Sequence, residues 1–357
     1  MKTKKKAGKK PVAKKARKKR ALITGITGQD GSYLAEFLVE KGYEVYGLMR
    51  RVSTDPLMRI EELSLGKKIK LIYGDLRDLS AVIRAIEESN PDEIYNLAAQ
   101  SHVAVSFKVP EETLEINYFG LGRLVNKAMS HNKNVRIYQA STSEMFGSTK
   151  PPQNEQSTFR PQSPYAEAKL KAHEDFVVGY REKHGLFICS GILFNHESPR
   201  RGKHFVTRKI THSMAKIKAG LQDHMELGNL DAKRDWGYAK EYVELMWVIL
   251  QQDAPQDFVI STGESHTVRE FVEETAKVLG IKLTWKGKGV KEVAMDDKGK
   301  VILKVNKNYY RPSEVNYLLG DSSHAFKVLN WKPKVAFHEL VRIMAEADLA
   351  SISYKER

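Results

Sequence analysis

The stretch ALITGITGQDGSYLAEFLVEKGYEVYGLMRR, residues 21–51, decides how the rest of this chain is read. ALITG (21–25) has the length and apolar composition of a buried strand. SYLAEFLVEKG (32–42) changes to helical spacing and closes on Gly42, a C-cap signal. EVYGLMRR (44–51) reads as a second strand. Between the first strand and the helix stand Gly25, Gly28 and Gly31. Glycines there let the backbone turn tightly and approach a pyrophosphate, to which the helix N-terminus offers free N–H groups and a partial positive charge. Gly25, Ile26, Thr27, Gly28, Gln29, Asp30 and Gly31 are therefore candidates for holding a dinucleotide.

The alternation continues outward. IKLIYGD (69–75), EIYNLAA (93–99), VRIYQAST (135–142) and LFICSGILFN (186–195) read as strands, with helical stretches at 79–88 and from about Tyr165 to Lys183. Strands alternating with helical crossovers predict right-handed βαβ units and an α/β fold, a Rossmann-type doubly wound parallel sheet over 20–200. After Asn195 the texture changes to turn-rich and basic, then helical, with a Lys- and Gly-rich stretch near 286–300 that suggests a loop or short hairpin. Residues 201–357 read mainly as a smaller α+β substrate-binding cap, with some segments returning to the sheet.

The net charge of +15 is concentrated at one end: the first 20 residues contain 12 Lys or Arg and no acid, which leaves +3 for the remainder. Residues 1–19 read as a disordered basic tail by composition. The body is only mildly basic, so no nucleic-acid partner is expected for it. No apolar run approaches the roughly 20 residues needed to cross a bilayer, so no membrane is expected. A single cysteine, Cys189, lies in an apolar run that suggests a buried strand, and points to a reducing, cytoplasmic compartment. No metal is expected, since the 11 histidines and one cysteine show no zinc spacing.

About 20 residues after the glycines, an NAD site usually carries an acid for the ribose 2′-hydroxyl. This chain has Arg50 and Arg51, whose guanidinium groups suit a 2′-phosphate, so NADP is expected. Asp75 and Leu76, ending the third strand, would lie beside the adenine, and Leu97, Ala98, Ala99, Gln100 and Ser101 beside the nicotinamide.

Tyr165 and Lys169, four residues apart, share one helix face. A phenol titrates near 10, and an adjacent ammonium favours the phenolate. Tyr165 could then accept a proton from a substrate hydroxyl as its carbon gives up hydride, with Lys169 bonding the nicotinamide ribose and Thr142 bonding the same substrate oxygen. His173, eight residues beyond Tyr165, reads as solvated. Glu144, in STSEMFG, has no evident use in simple hydride transfer.

In this order, TGITGQDG, LAAQS, AST and YAEAK resemble the extended short-chain dehydrogenase/reductase family, which binds NAD(P) on its sheet and a nucleotide sugar in its C-terminal cap. With GITGQDGSYL, LAAQSHV, STSEMFG, GILFNHESPRRG, FVTRKI, RDWG and YYRPSEV added, the chain is similar to the 4,6-dehydratases of that family over about 20–335. The resemblance implies GDP-mannose as substrate and a lyase that oxidises C4, removes the C5 proton through Glu144 as the C6 hydroxyl leaves, and returns the hydride to C6. The product would feed GDP-fucose or GDP-rhamnose type deoxysugar synthesis. It also implies catalytic positions at Thr142, Glu144 and Tyr165 assisted by Lys169, further cofactor contacts at His196 and Arg201, and substrate contacts at Ser143, Asn195, Lys209, Arg234, Arg311 and Glu314. Where relatives carry a tyrosine near the cofactor, in the stretch aligned with PEETLEI, this chain has Glu112 or Thr113. The family's habit of assembling through the sheet domain implies a homodimer or homotetramer. The competing expectation is a dedicated or bifunctional NADPH-dependent reductase of the 4-keto-6-deoxy sugar.

Overall fold

The computed structural model describes residues 17–52, 58–61, 65–310 and 315–355. The apolar run after Lys19 forms β1 (Arg20–Thr24), and Gly25, at φ +69°, turns the chain into α1 (Gln29–Glu40). The strands β2 (Glu44–Met49), β3 (Ile69–Tyr73), β4 (Glu93–Asn96), β5 (Arg136–Thr142) and β6 (Ile188–Leu193) follow. They join a seven-stranded sheet in the order Phe258–Ile260, β6, β5, β4, β1, β2, β3. Every pairing in it is parallel, with Ile23 of β1 opposite Gly47 on one side and Tyr95 on the other. Strand order reverses between β1 and β4, which opens a crevice at their carboxyl ends.

Helices cover both faces because the strands are apolar on both. One face packs Val82, Ile86, Leu121, Val125 and Val177 against Leu22 and Ile137, and the other packs Leu34, Leu38, Tyr242 and Met246 against Ile23 and Tyr138. Cys189 is fully buried in the second of these cores. The helix Ala239–Leu250 and the edge strand Phe258–Ile260 come from beyond residue 200 and belong to the sheet layer.

The crossover from β4 to β5 is helical: Val103–Ser106, Pro110–Leu114, a π turn Glu115–Phe119 and Gly120–His131. Leu121, Leu124, Val125 and Ala128 give the last helix a regular buried face, while Pro110 and the π turn interrupt the period before it. Gly122 is required by packing, since a Cβ on it would lie 2.5 Å from the Phe176 ring. A second π turn, His173–Val178, interrupts the helical run from Pro164 to His184. The extra residue in such a turn rotates the face that follows. His173 precedes that rotation and shares the buried face of Tyr165, Lys169 and Ala172; read from the sequence as solvated, it is 6% exposed, with its Nδ1 2.9 Å from Ser190 Oγ.

The cap pairs Thr284–Lys286, Val293–Met295 and Val301–Val305 as an antiparallel meander, with Met225–Leu227 added in parallel. The Lys- and Gly-rich stretch lies within this meander. Ile302 and Leu303 pack with Met214, Phe271, Leu340 and Met344 from three helices to form a separate core. Residues 1–16 of the basic segment lie outside the described residues. Its last residues are held at the amino ends of β1 and β4, where Arg17 pairs with Asp92 at 2.6 Å and Lys19 with Glu93 at 3.0 Å.

Candidate active site

The glycine turn admits no side chain at Gly25 or Gly31. A Cβ on Gly31 would stand 2.3 Å from the Gly25 carbonyl oxygen and 2.6 Å from Ile26 Cα, and one on Gly25 would stand 2.9 Å from Ala98 N. Gly28 caps α1 without a side-chain hydrogen bond, so the first turn offers its N–H groups outward. Thr24 Oγ1 receives the N–H groups of Leu97 and Ala98 at 3.2 and 3.1 Å, which draws that loop against the turn, with Ala99 half-buried beside it. The Gln100 side chain is committed to Thr113 and His102, whereas Ser101 opens onto the cavity described below.

Gln29 and Asp30 tie the turn to β7 (Asn195–Glu197). Gln29 Nε2 donates to the His196 carbonyl at 3.0 Å, and His196 Nε2 lies 2.9 Å from Asp30 Oδ2. Burial, the largest single influence, disfavours charge on both partners, but the opposite charge and the hydrogen bonds together outweigh it, raising the His196 pKa and lowering that of Asp30. Arg59, which no sequence motif marks, donates to the carbonyls of Thr27 at 2.9 Å and Arg200 at 3.0 Å.

Arg50 and Arg51 are exposed at the end of β2. Asp75 is partnered by Arg77 at 2.8 Å; burial opposes its charge, yet the Arg77 bonds and the Arg50 charge keep its carboxyl below the ordinary range. Arg77 also reaches Glu112 at 3.0 Å, so the acid in the PEETLEI stretch holds the Asp75 clasp, and Thr113 supports Gln100. Leu76 is 3% exposed as a whole residue, and its carbonyl accepts from Arg123 at 3.4 Å.

Beyond the crevice lies a cavity of about 830 Å³ at the carboxyl ends of β5 and β6, roofed by cap residues. Thr142, Ser143, Glu144 and Tyr165 line one wall, and Asn195, Arg201, Lys209 and Arg234 another. Thr142 ends β5, and its Oγ1 receives the Glu144 N–H at 3.2 Å, starting the 3₁₀ turn Ser143–Met145. That turn closes at Gly147, φ +52°, where a Cβ would overlap the Arg160 carbonyl. Local chemistry therefore fixes the backbone of Glu144, a residue 8% exposed in the cavity wall, with its charge close enough to act on Tyr165.

Tyr165 and Lys169 differ from the sequence expectation in their electrostatics. Burial pushes the Tyr165 phenol up to about 12, against a hydrogen bond from Thr142, and the Glu144 charge adds to the rise. Lys169, 3% exposed, donates to the Ala140 carbonyl at 2.9 Å, and burial lowers it to about 8. The ammonium is thus committed to backbone, desolvation outweighs it, and in the chain alone Tyr165 is a neutral phenol at pH 7.

Asn195 Oδ1 is buried without a hydrogen-bond partner in the cavity wall, which marks a place for a ligand donor. Lys209 Nζ rests 3.6 Å from the centre of the Tyr309 ring. Of the two neighbouring arginines, Arg201 faces the cavity beside Glu197, while Arg200 turns to Glu36 at 3.0 Å and the Tyr33 ring. Arg311 and Glu314 lie outside the described residues. The sequence reading missed Phe205 and Tyr309 of the lining; YYRPSEV was the signal for the second. The backbone cradle at Gly25 and Gly31 and the uncapped helix start fit a dinucleotide at the crevice, adjoining the orphan Asn195 oxygen of the cavity.

Comparison with known proteins agrees with this geometry. A family described as GDP-mannose 4,6 dehydratase matches residues 22–344. The GDP-mannose 4,6 dehydratase of Drosophila melanogaster is 54% identical over 94% of this chain and 87% of its own length. That of Yersinia enterocolitica is 50% identical over 93% of this chain and 94% of its own. Among solved structures, Thermus thermophilus UDP-glucose 4-epimerase in complex with NAD superposes with a TM-score of 0.75, at 26% identity over 92% of this chain and 98% of that one.

Proposed function

The chain belongs to the GDP-mannose 4,6 dehydratase family, and from that premise we propose that it converts GDP-D-mannose to GDP-4-keto-6-deoxy-D-mannose, with Glu144 as the C5 base. The observation that carries this reading is Glu144, whose backbone is pinned to Thr142 and which lines the same cavity as Thr142 and Tyr165. A reductase that moved one hydride would have no use for a base there.

A bound nicotinamide dinucleotide supplies the hydride acceptor for C4 and the donor for C6. Gly25 to Gly31, Arg50, Arg51, Asp75, Leu76, Leu97 to Ser101, Lys169, His196 and Arg201 would hold it, with the two exposed arginines favouring NADP over NAD. Asn195, Lys209 and Arg234 would hold GDP-mannose, with Ser143, Arg311 and Glu314 completing its site; guanidinium and ammonium groups suit a pyrophosphate. Thr142 orients the C4 hydroxyl, and Tyr165 takes its proton. The resulting C4 ketone acidifies the C5 proton, which Glu144 removes and passes to the departing C6 hydroxyl, so water leaves without net proton loss. The Glu144 carboxylate then takes up a proton from solvent, balanced by the one Tyr165 releases, and delivers it to C5 as the hydride returns to C6. General base catalysis of this kind is worth roughly 10²- to 10⁴-fold. We place the enzyme in the cytoplasm as a homodimer or homotetramer; among the described residues no helix is long and apolar enough to cross a membrane.

The direct test is incubation with GDP-mannose and catalytic NADP, with products resolved by mass. Loss of water with no net absorbance change at 340 nm is expected, and stoichiometric NADPH formation would overturn the dehydratase reading. Replacing Arg50 and Arg51 by Ala should weaken NADP tenfold or more while sparing NAD, because each charged hydrogen bond contributes on the order of 1.5–3 kcal/mol. Equal weakening in a binding titration would show that the pair does not read the phosphate.

A further inference from the structure

Tyr165, Lys169 and His173 stand at four-residue intervals on one helical run over β5 and β6. Tyr165 lines the cavity with Thr142, Lys169 donates to the Ala140 carbonyl at 2.9 Å, and His173 Nδ1 lies 2.9 Å from Ser190 Oγ on β6. Ser190 Oγ in turn lies 3.0 Å from Ser141 Oγ, the residue before Thr142, and Ser141 borders the cavity. All three members of this chain are buried: Ser141 is 5% exposed, Ser190 0% and His173 6%. Ser190 is fixed from behind as well, since its N–H reaches Asp257 Oδ1 at 2.6 Å, and Asp257 is held by Arg181 through both oxygens at 3.0 and 2.5 Å. The His173 ring meets Phe159 edge-on at 5.7 Å.

Burying three polar side chains beside an apolar core is costly unless they satisfy one another, and here they do so through a linear chain with a single geometry. Its ends are the helix that carries Tyr165 and the strand that carries Thr142 and leads into Glu144. The place of His173 four residues after Lys169 and eight after Tyr165, on their buried face, is what aims its imidazole at β6. We infer that His173 is a positioning residue for the reaction: through Ser190 and Ser141 it fixes the distance between the Tyr165 helix and the end of β5, and so the placement of Tyr165 against Thr142 and Glu144. The inference rests on the dehydratase reading.

Three variants test it. His173→Phe keeps the ring against Phe159 and removes the bond, His173→Asn restores a polar atom at the Nδ1 position, and Ser190→Ala cuts the chain while leaving the imidazole in place. With GDP-mannose and NADP, His173→Phe and Ser190→Ala should each lower kcat about tenfold at little-changed KM and Tm, since small misplacement of reacting groups acts on kcat. The Asn variant should recover most of the loss, and the Phe and Ala changes together should be no worse than either alone. Wild-type kcat in His173→Phe and Ser190→Ala would overturn the inference. So would an Asn variant as impaired as the Phe variant, or a loss that tracks a fall in Tm. Should His173→Phe fail to fold, Ser190→Ala against wild type decides the question alone. Failure of the wild type to dehydrate GDP-mannose would sink the dehydratase reading itself, a result distinct from any pattern among the variants.

Discussion

Glu144→Gln is expected to lower dehydration of GDP-mannose by roughly 10²-fold or more, because an amide cannot accept the C5 proton. The substitution keeps the size of the side chain. It also leaves intact the Thr142 Oγ1 bond to the backbone N–H of residue 144, which fixes the 3₁₀ turn. Folding should therefore be little changed, and the loss should fall on kcat. In deuterated water the wild type should place deuterium at C5 of the product. Offered the finished 4-keto product, it should also exchange the C5 hydrogen, while the Gln variant should do neither at an appreciable rate. A Glu144→Gln enzyme that forms product and washes out the C5 hydrogen at wild-type rates would assign the base elsewhere.

Tyr165→Phe should cost between about 10²- and 10⁴-fold in kcat, the range expected when a proton acceptor is removed. The residue is 8% exposed and its ring is part of the cavity wall, so Phe preserves the packing and removes only the hydroxyl. Thermal stability should change by no more than about the 0.5–1.5 kcal/mol of one hydrogen bond. The two variants should part on the 4-keto product: Tyr165→Phe retains Glu144 and should still exchange the C5 hydrogen, whereas Glu144→Gln should not. Loss of exchange in both, measured by mass, would mean that the two residues do not act on separate protons.

The Tyr165 environment adds a constraint on when that proton can move. Burial carries the phenol to about 12 and Lys169 to about 8, so the chain alone holds a protonated phenol beside an ammonium. A phenol in this state is a poor base, and it becomes one only when further positive charge enters the site.

Much of this was legible in the sequence, and for local reasons. A strand followed by TGITGQDG and an amphipathic helix leaves the backbone little choice, since Gly25 must take φ +69° and Gly31 must lie against the Gly25 carbonyl. The strand periodicities and the four-residue spacing of Tyr165 and Lys169 are equally local, and so is the Thr142–Glu144 turn. They determined the sheet layer and one wall of the cavity. The family resemblance supplied the opposite wall, at Asn195, Lys209 and Arg234, which no spacing rule would have assembled.

Tertiary structure decided what depends on neighbours distant in sequence. Arg59 is an ordinary helix residue until folding brings it to the Thr27 and Arg200 carbonyls. Arg200 and Arg201 look equivalent on paper, yet one stacks on Tyr33 and the other faces the cavity. His173 was misread as solvated although it shares the face of Tyr165, Lys169 and Ala172, because only the fold brings Ser190 and Phe159 against that face so far along the helix. Lys169 was expected to lower the Tyr165 pKa. Instead, the Ala140 carbonyl holds its ammonium, and the desolvation of the phenol, a sum over every group packed around it, outweighs any pair that sequence spacing can name.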